Sequence, residues 1–556
     1  MQSRSTTPAY DFDVVIAGYG PAGAIAALWL GQAGLRTLVV DKSETIWQIP
    51  RAIAIDHEIL RVLQNLGVAE EVLPHTAPFP ASEHFGVDGQ LIRRIHVVEP
   101  PYPLGYIPTM VFTQPSVEAI LRKHVATLPC VAVALGCELT GITQTESFAT
   151  IQLTEAGEQR SVTARYVIGC DGASSSVRRL IGVKLNDLGF DEPWLVVDVH
   201  VRASGLLKLP QTAAQYCNPE RPTTFIIGPG NHRRWEIMLS PGEDPREMEK
   251  PENVWRLLSP WLEPVDGELW RASSYRFHAL LAAEWRKSRV FLAGDAAHQQ
   301  PPFIGQGMCQ GVRDVTNLCW KLTEVLQGSC RESLLDTYSE ERSRHVHTLT
   351  SRIKAIGHHI CERDPLAARE RDAALLLQGG GQPPTVTRQE IVPPLEAGLL
   401  SKSVHPANGT LFPQPWIVTP GGTVHMDAIT GHGWRLIVDG RYPPLEALVP
   451  LGKSSWNLLL IGGEGLQEQD GIVARWFERC GCIAALVRPD HYVYGVAPSA
   501  SQISLMLADL HAALDPAAGS AHGSSSRVSP AKFPVDNNMV PCSTIGSASR
   551  FGSGFS

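Results

Sequence analysis

The feature that most restricts this chain lies near its start. Asp13-Val14-Val15-Ile16-Ala17 is a short β-branched run, and Gly18-Tyr19-Gly20-Pro21-Ala22-Gly23 follows it directly. An Ala/Leu-rich helical stretch then runs to about Gly31, and a second apolar run, Thr37-Leu38-Val39-Val40, ends at Asp41. Strand, glycine turn, helix, strand and acid in this order predict a dinucleotide-binding βαβ unit. The glycines serve different mechanical ends. Gly18 permits the tight turn, Gly20 lets backbone approach a pyrophosphate, and Gly23 allows helix-on-strand packing. The helix start faces the anion with unpaired N–H groups. Asp41, 23 residues beyond Gly18, is placed to accept hydrogen bonds from a ribose diol. The turn alone does not distinguish FAD from NAD.

Two later motifs narrow the choice. Ile168-Gly169-Cys170-Asp171-Gly172-Ala173, followed by Ser176-Val177-Arg178, takes an apolar strand into an Asp-Gly turn. Val290-Phe291-Leu292-Ala293-Gly294-Asp295-Ala296-Ala297-His298 takes another into Gly-Asp, then into Pro301-Pro302-Phe303-Ile304-Gly305-Gln306-Gly307-Met308 and a helix carrying Asp314 and Asn317. An acid at a strand's carboxyl end can hydrogen-bond ribityl hydroxyls, and a glycine-rich helix start can stabilise negative charge on a flavin ring. A simple nicotinamide site has no use for the second role.

The 556 residues suggest three or four domains at roughly 150 residues each, or fewer large ones. A net charge of −8 with no long basic run argues against a nucleic-acid partner. No run reaches the ~18 apolar residues of a membrane helix, and Met1 to Tyr10 is polar, so a cytoplasmic enzyme without a membrane span is expected. The 11 cysteines include no CxxC pair, which weakens metal and dithiol chemistry alike, and no metal site is expected. Strand-like runs at Trp194 to Val201, Thr223 to Ile227 and Trp235 to Leu239 lie close together without long helices between them, predicting an inserted antiparallel sheet. Helical patterns fill Gly311 to Leu326 and Leu334 to Ile360. The predicted organisation is α/β. A Rossmann-like unit occupies residues 1–185, a substrate sheet 186–285, and the completion of the first unit with its long helices 286–362. A linker follows at 363–398, punctuated by Gly379-Gly380-Gly381 and Pro383-Pro384, then a smaller α/β unit at 399–514 and a disordered Ser/Gly/Ala-rich tail at 515–556.

In their order, the GxGxxG, Asp-Gly and Gly-Asp motifs resemble those of the class A flavoprotein aromatic hydroxylases, especially the branch of 3-(3-hydroxyphenyl)propionate hydroxylase and its phenol-hydroxylase-like relatives. Supporting strings are Pro50-Arg51-Ala52-Ile53 with Ile55-Asp56, Gln114-Pro115, Trp194-Leu195-Val196-Val197-Asp198, and Cys217-Asn218-Pro219 with Arg221-Pro222. Others are Gly294-Asp295-Ala296-Ala297-His298, Asn317-Leu318 with Trp320-Lys321-Leu322, and Leu334-Leu335-Asp336-Thr337-Tyr338 with Glu341-Arg342. The resemblance runs from about Phe12 to His345. It resumes at Gly409-Thr410-Leu411-Phe412-Pro413-Gln414-Pro415 and Arg488-Pro489-Asp490, where such hydroxylases carry a thioredoxin-like domain. Lacking CxxC, that domain is expected to serve packing or oligomerisation, a homodimer being one form.

The resemblance implies FAD as resident cofactor and NAD(P)H as reductant. FAD would be held by Gly18, Gly20, Pro21, Ala22, Gly23, Asp41 and Lys42 at its adenylate end. Arg51, Gln114, Gly294 and Asp295 would approach the middle, and Pro302, Gly305, Gln306, Gly307 and Met308 the ring, while Asp171 belongs to a motif implicated in both FAD and nicotinamide handling. Relatives usually carry Glu where Asp41 stands. Arg178 would anchor the Asp-Gly turn, and the Pro302 carbonyl would face the substrate's phenol. The implied reaction uses O₂ and an aromatic substrate, hydroxylating a phenolic ring, such as that of a hydroxyphenylpropionate-like acid, through a flavin C4a-hydroperoxide. Such chemistry needs a dry, apolar chamber, walled by one alternate set of residues from the inserted sheet. His200, Tyr216 and His298 are candidates for phenol deprotonation, though each also fits a hydrogen-bonded structural residue. Arg233 and Arg234 could attract a substrate carboxylate, but neighbours on a strand point to opposite faces, so at most one serves. The alternatives are an epoxidase or halogenase of the same architecture, an NAD-dependent dehydrogenase, and a non-enzymatic binding protein.

Overall fold

The computed structural model describes residues 10–79, 81–442 and 457–515; the tail expected to be disordered lies, beyond Asp515, outside them. The β-branched run forms the strand Phe12–Ala17, the centre of a parallel sheet ordered Val131–Leu135, Thr37–Asp41, Phe12–Ala17, Glu158–Gly169, Val290–Leu292. Val14, Val15, Ile16, Val167 and Ile168 are fully buried, as continuous apolar runs are when helices cover both faces. Helix Pro21–Gln32 packs between helices Gln114–Val125 and Gly307–Leu326. Ala17 pairs with Gly169, and Gly169 with Leu292. The three predicted turns therefore emerge side by side from one edge of the sheet.

A nine-stranded sheet stands beside it, ordered His298–Gln299, Gly267–Ala282, Leu185–Val201, His232–Met238, Thr223–Ile227, Ala213–Tyr216, Ser82–Phe85, Leu91–His96, Thr385–Thr387. Its first six strands pair antiparallel, as predicted for the inserted sheet. Its far edge departs from that expectation, because Ser82–Phe85 and Leu91–His96 come from the first unit and join through a parallel contact with Ala213–Tyr216. The outermost strand, Thr385–Thr387, belongs to the stretch 363–398 that was expected to be a linker. That stretch is ordered: helix Pro365–Gln378 starts on Asp364, whose carboxylate accepts the Leu366 and Ala367 N–H groups. Its buried Asp372 accepts from Val87 N–H. The glycine and proline clusters mark the joint between a helix and a strand. The Asp364-Pro365 start was itself a helix signal.

The smaller unit holds a four-stranded mixed sheet ordered Asn457–Ile461, Arg435–Asp439, Ala484–Val487, Val493–Ala497, with helices Ile472–Cys480 and Ala500–Leu514. It docks on the larger unit through buried charges. Glu341 accepts from Lys321 Nζ at 2.8 Å, Asn317 Nδ2 at 2.6 Å and Arg488 Nη2 at 2.7 Å. Arg488 also grips Asp490, which accepts from Trp320 Nε1. A second cluster joins Arg61 and Arg435 to Asp427. The strings Asn317-Leu318, Trp320-Lys321, Glu341-Arg342 and Arg488-Pro489-Asp490, far apart in sequence, thus meet in one network. Among the described residues no helix is long and apolar enough to cross a membrane.

Burial pushes the Glu341 carboxyl up, but the Arg488 and Lys321 cations outweigh it and hold it down to about 2. A depressed carboxyl contributes stability above its unfolded value near 4.5 and loses it as pH falls toward 2. The chain should therefore lose stability through that acid window, and Glu341→Gln should remove the share due to Glu341, while the depressed Asp198, Asp314 and Asp427 carboxyls keep theirs. Removing one partner of a buried pair costs about 3–5 kcal/mol, so Arg488→Met should destabilise the fold at pH 7 by that amount. Chemical denaturation across pH checks both.

Candidate functional site

The glycine turn is shaped as the sequence predicts. At Gly18, with φ +98°, a Cβ would stand 2.4 Å from the Cys170 carbonyl oxygen, and at Gly23 one would stand 1.9 Å from the Gly18 oxygen. A Cβ at Gly20 would meet nothing within 4 Å, so the turn is closed behind and open in front. Gly20 begins the helix Pro21–Gln32 without a side-chain cap, leaving the first N–H groups directed at this opening. Asp41 accepts from Tyr19 N–H at 2.6 Å and Ser43 N–H at 2.7 Å, which places its carboxylate beside the turn. Lys42 is exposed at the strand's end.

The other two turns are braced from behind. Asp171 accepts from Ser175 Oγ and Val177 N–H, and Arg178 donates to the carbonyls of Ala173 and Ala296, both at 2.8 Å, tying the Asp-Gly turn to the Gly-Asp turn. Asp314 accepts from Gly294 N–H and from Arg342 Nε, both at 2.9 Å, and lies 2.7 Å from His298 Nε2. Burial pushes the Asp314 carboxyl up, and the neighbouring His298 and Arg342 pull it below the usual carboxylate range. Gly311 lets the helix Gly307–Leu326 approach Gly294, since a Cβ there would lie 3.1 Å from its Cα. Asp295 itself is exposed and lines the cavity in front.

That cavity, of about 310 Å³, runs from Gly20-Pro21-Ala22 past Arg51, Gln114, Gly294 and Asp295 to Pro302, Gly305, Gly307 and Met308. A Cβ at Gly307 would meet nothing within 4 Å, so a second helix start opens onto it. Two open helix starts joined by a cleft with an acid midway fit a long dinucleotide ending in a flat ring. Gln114 acts indirectly: its Oε1 accepts from Arg51 N–H and Ala52 N–H and so fixes that segment. The Gln306 side chain turns away, donating to Asp56 and accepting from Arg313. The Pro302 carbonyl accepts from Gly305 N–H at 2.6 Å.

The inserted sheet closes the far side. Thr224, Ile226, Arg234, Glu236, Ala213 and Gln215 face the cavity, while Leu195, Val197, Phe225, Trp235 and Ile237 pack into a core on the opposite face. The three expected bases are engaged elsewhere: the sheet's phase turns Tyr216 away, whereas His200, which shares the face of Arg234 and Glu236, and His298, at the sheet's edge, are held by neighbours of their own. Tyr216 lies on the outer face, stacked on Phe85 and 3.4 Å from Trp261 Nε1. His200 stacks on Trp270 outside the cavity lining. His298 is buried behind the Gly-Asp turn, engaged with Asp314 and stacked on Trp285. Neither arginine of the adjacent pair is free: Arg233 donates to backbone carbonyls, and Arg234 is paired with Asp198 while donating to Pro50 and Arg51 carbonyls.

Two lining residues were missed by the sequence reading. Glu236 is 3% exposed, and its Oε2 has no hydrogen-bond donor among the described residues. Burial pushes its pKa up to about 7, with Arg234 and Arg271 pulling down and Asp198 pushing up. Its signal was an acid at alternate spacing between Trp235 and Ile237 on a buried strand. Arg388, from the supposed linker, is buried, donates to the Ile304 carbonyl and lies over the Phe79 ring at 5.0 Å. Among the described residues no carboxylate forms an ion pair with it. Nothing local in the sequence announces Arg388.

Comparison with known proteins agrees with this geometry. The family model for the FAD binding domain matches residues 11–353. A probable NADH-specific resorcinol 4-hydroxylase of Rhodococcus jostii (strain RHA1) is 34% identical over 91% of this chain and 95% of its own. A 3-(3-hydroxy-phenyl)propionate/3-hydroxycinnamic acid hydroxylase of Burkholderia cenocepacia (strain HI2424) is 32% identical over 86% and 93%. The crystal structure of the flavin-dependent monooxygenase PieE in complex with FAD and substrate superposes with a TM-score of 0.78 at 21% identity, over 92% of this chain and all of that one. With the glycine turn, the Gly-Asp turn and the helix start behind them all inside the matched segment, the chain belongs to the FAD binding domain family.

Proposed function

We propose that the protein is an FAD- and NAD(P)H-dependent monooxygenase that hydroxylates a small phenolic ring. The observation that carries this reading is the continuity of one cavity from the pyrophosphate turn to an apolar pocket under the inserted sheet. Bound FAD, reduced by a nicotinamide, supplies the activated oxygen; the chain supplies binding, orientation and dryness. Backbone N–H groups of Gly20 to Ala22, with Arg51, would hold the pyrophosphate, and Asp41 the adenosine ribose. Asp295 would take the ribityl region, and Gly305 to Met308 the ring. Ile53, Phe79, Ile95, Ile226 and Phe303 line the rest and would keep water from the reacting centre. Arg388 supports a substrate with a carboxylate, because a buried cation lacking an anion is a ready partner for one. The smaller unit's strand order, a parallel pair followed by two antiparallel strands, supports the thioredoxin-like reading, and its buried docking charges support a scaffold role.

The purified protein should be yellow, and resorcinol or 3-(3-hydroxyphenyl)propionate should accelerate its NADH oxidation with formation of a ring-hydroxylated product. Colourless protein, or oxidation indifferent to phenols and yielding only H₂O₂, would defeat the reading. Loss of a charge-assisted hydrogen bond costs about 1.5–3 kcal/mol, so Asp295→Ala should weaken FAD binding about 10- to 100-fold. Gly305→Val should do likewise, since φ is +59° there and a Cβ would stand 2.8 Å from Ala54 Cβ; flavin content after gel filtration measures both.

If the substrate is an acid, Arg388→Met should raise KM for 3-(3-hydroxyphenyl)propionate by roughly 10- to 100-fold, while changing that for resorcinol by less than about threefold. Steady-state kinetics with the two compounds separate these outcomes.

A further inference from the structure

The geometry points to Glu236 as the residue that accepts the hydrogen bond, and then the proton, of the substrate's phenolic hydroxyl, an inference that rests on the hydroxylase reading above. Its carboxylate lines the cavity, is almost wholly buried, and neither receives a hydrogen bond nor forms an ion pair among the described residues. A buried acceptor without a donor calls for one from a ligand. Neither nearby cation pairs with it. Arg234 on its own strand is engaged with Asp198 of Leu185–Val201 and the Pro50 carbonyl, and Arg271 on Gly267–Ala282 gives Nη1 to the same two groups while its Nε has no hydrogen-bond partner among the described residues. Thr224, directly across on the next strand, donates its hydroxyl to Gln215 Oε1 at 2.6 Å. Of the remaining charged lining groups, Arg51 and Asp295 are expected cofactor contacts and Arg388 donates to the Ile304 carbonyl; neither arginine forms an ion pair with Glu236. A phenol O–H entering from the apolar pocket is the donor this carboxylate lacks.

The proton step balances without any co-reactant. The phenolic O–H bond breaks with its electron pair left on oxygen, a new O–H bond forms on the Glu236 carboxylate, and the pair keeps one negative charge throughout. That charge moves onto the ring, which becomes richer in electrons for attack by an electrophilic oxygen. Glu236 titrates near neutrality because it is buried, so it can take the proton and give it back at ordinary pH.

The test uses FAD-loaded enzyme with resorcinol as probe, and 3-methoxyphenol and 1,3-dimethoxybenzene as controls. Binding is read from the flavin absorbance change, and turnover from NADH oxidation with product formation, both across about pH 5.5–9. Wild type should bind resorcinol at least about tenfold more tightly than the dimethyl ether, with an ascending limb in kcat/KM near pH 7. Glu236→Gln should keep its flavin, lose the limb and fall about 100-fold or more in kcat/KM; Glu236→Asp should restore part of it. An unchanged profile in a flavin-loaded Gln variant overturns the assignment while leaving the hydroxylase reading intact. Should the Gln variant fail to fold, wild type alone decides, since no break near neutrality and no preference for the hydroxyl over the ether also overturn it. If wild type responds to none of the phenols, the hydroxylase reading falls and this inference with it.

Discussion

Asp198 never reaches the cavity, yet the site depends on it. From the middle of Leu185–Val201 it pairs with Arg234 and Arg271 and lies 2.7 Å from His232 Nε2. Both arginines also donate to the Pro50 carbonyl, and Arg234 to that of Arg51. The segment that carries Arg51 toward the expected pyrophosphate is thereby fastened to the inserted sheet. From its other side Gln114 holds the same segment through the Arg51 and Ala52 N–H groups. Two sheets that share no strand are thus set at a fixed spacing, and the cavity is what remains between them. Burying this cluster is costly unless every charge is matched, and matching Asp198 leaves Glu236, on the same face, without a cation.

The Asp-Gly turn, the Gly-Asp turn and the start of helix Gly307–Leu326 are held in a common way. Each cavity-facing element is fixed by a polar group standing behind it: Asp171 and Arg178 behind the Asp-Gly turn, Asp314 behind Gly294, and Asp56 with Arg313 behind Gln306. The front surfaces are left as backbone N–H groups, glycine and short polar side chains. Positioning and contact are divided between different residues, which is how a site stays rigid with its contact groups free.

This division explains what could be read from the sequence. The βαβ start, both acid turns and the inserted strands have local signatures, because period, glycine spacing and β-branching act within a few residues. The alternation of the inserted sheet was legible, but its phase was not. Whether Thr224, Arg234 and Glu236 or their neighbours face inward depends on which face the helix Pro251–Leu258 covers, and that is a tertiary choice. Once the phase is set, Tyr216 must point outward with Ala214. For His298 the sequence left a base and a structural residue both open, and its contact with the distant Asp314, which Arg342 also grips, supports the second. Arg388 was hidden because the glycine and proline clusters before it resemble a linker, when they connect a helix to the sheet's last strand.

Dryness links the chemistry to the acid–base behaviour of the site. The apolar walls that would shield an activated oxygen also deprive Glu236 of solvent, and that loss raises its pKa to about 7. A wetter chamber would release the flavin's oxidising equivalent as peroxide. It would also return Glu236 toward the ordinary carboxylate range, where it is too weak a base for a phenol. The two requirements therefore do not compete. Any substitution that admits water, for instance Ile226→Ser on the face beside Glu236, removes the shield and the base strength together, because both arise from the same absence of solvent.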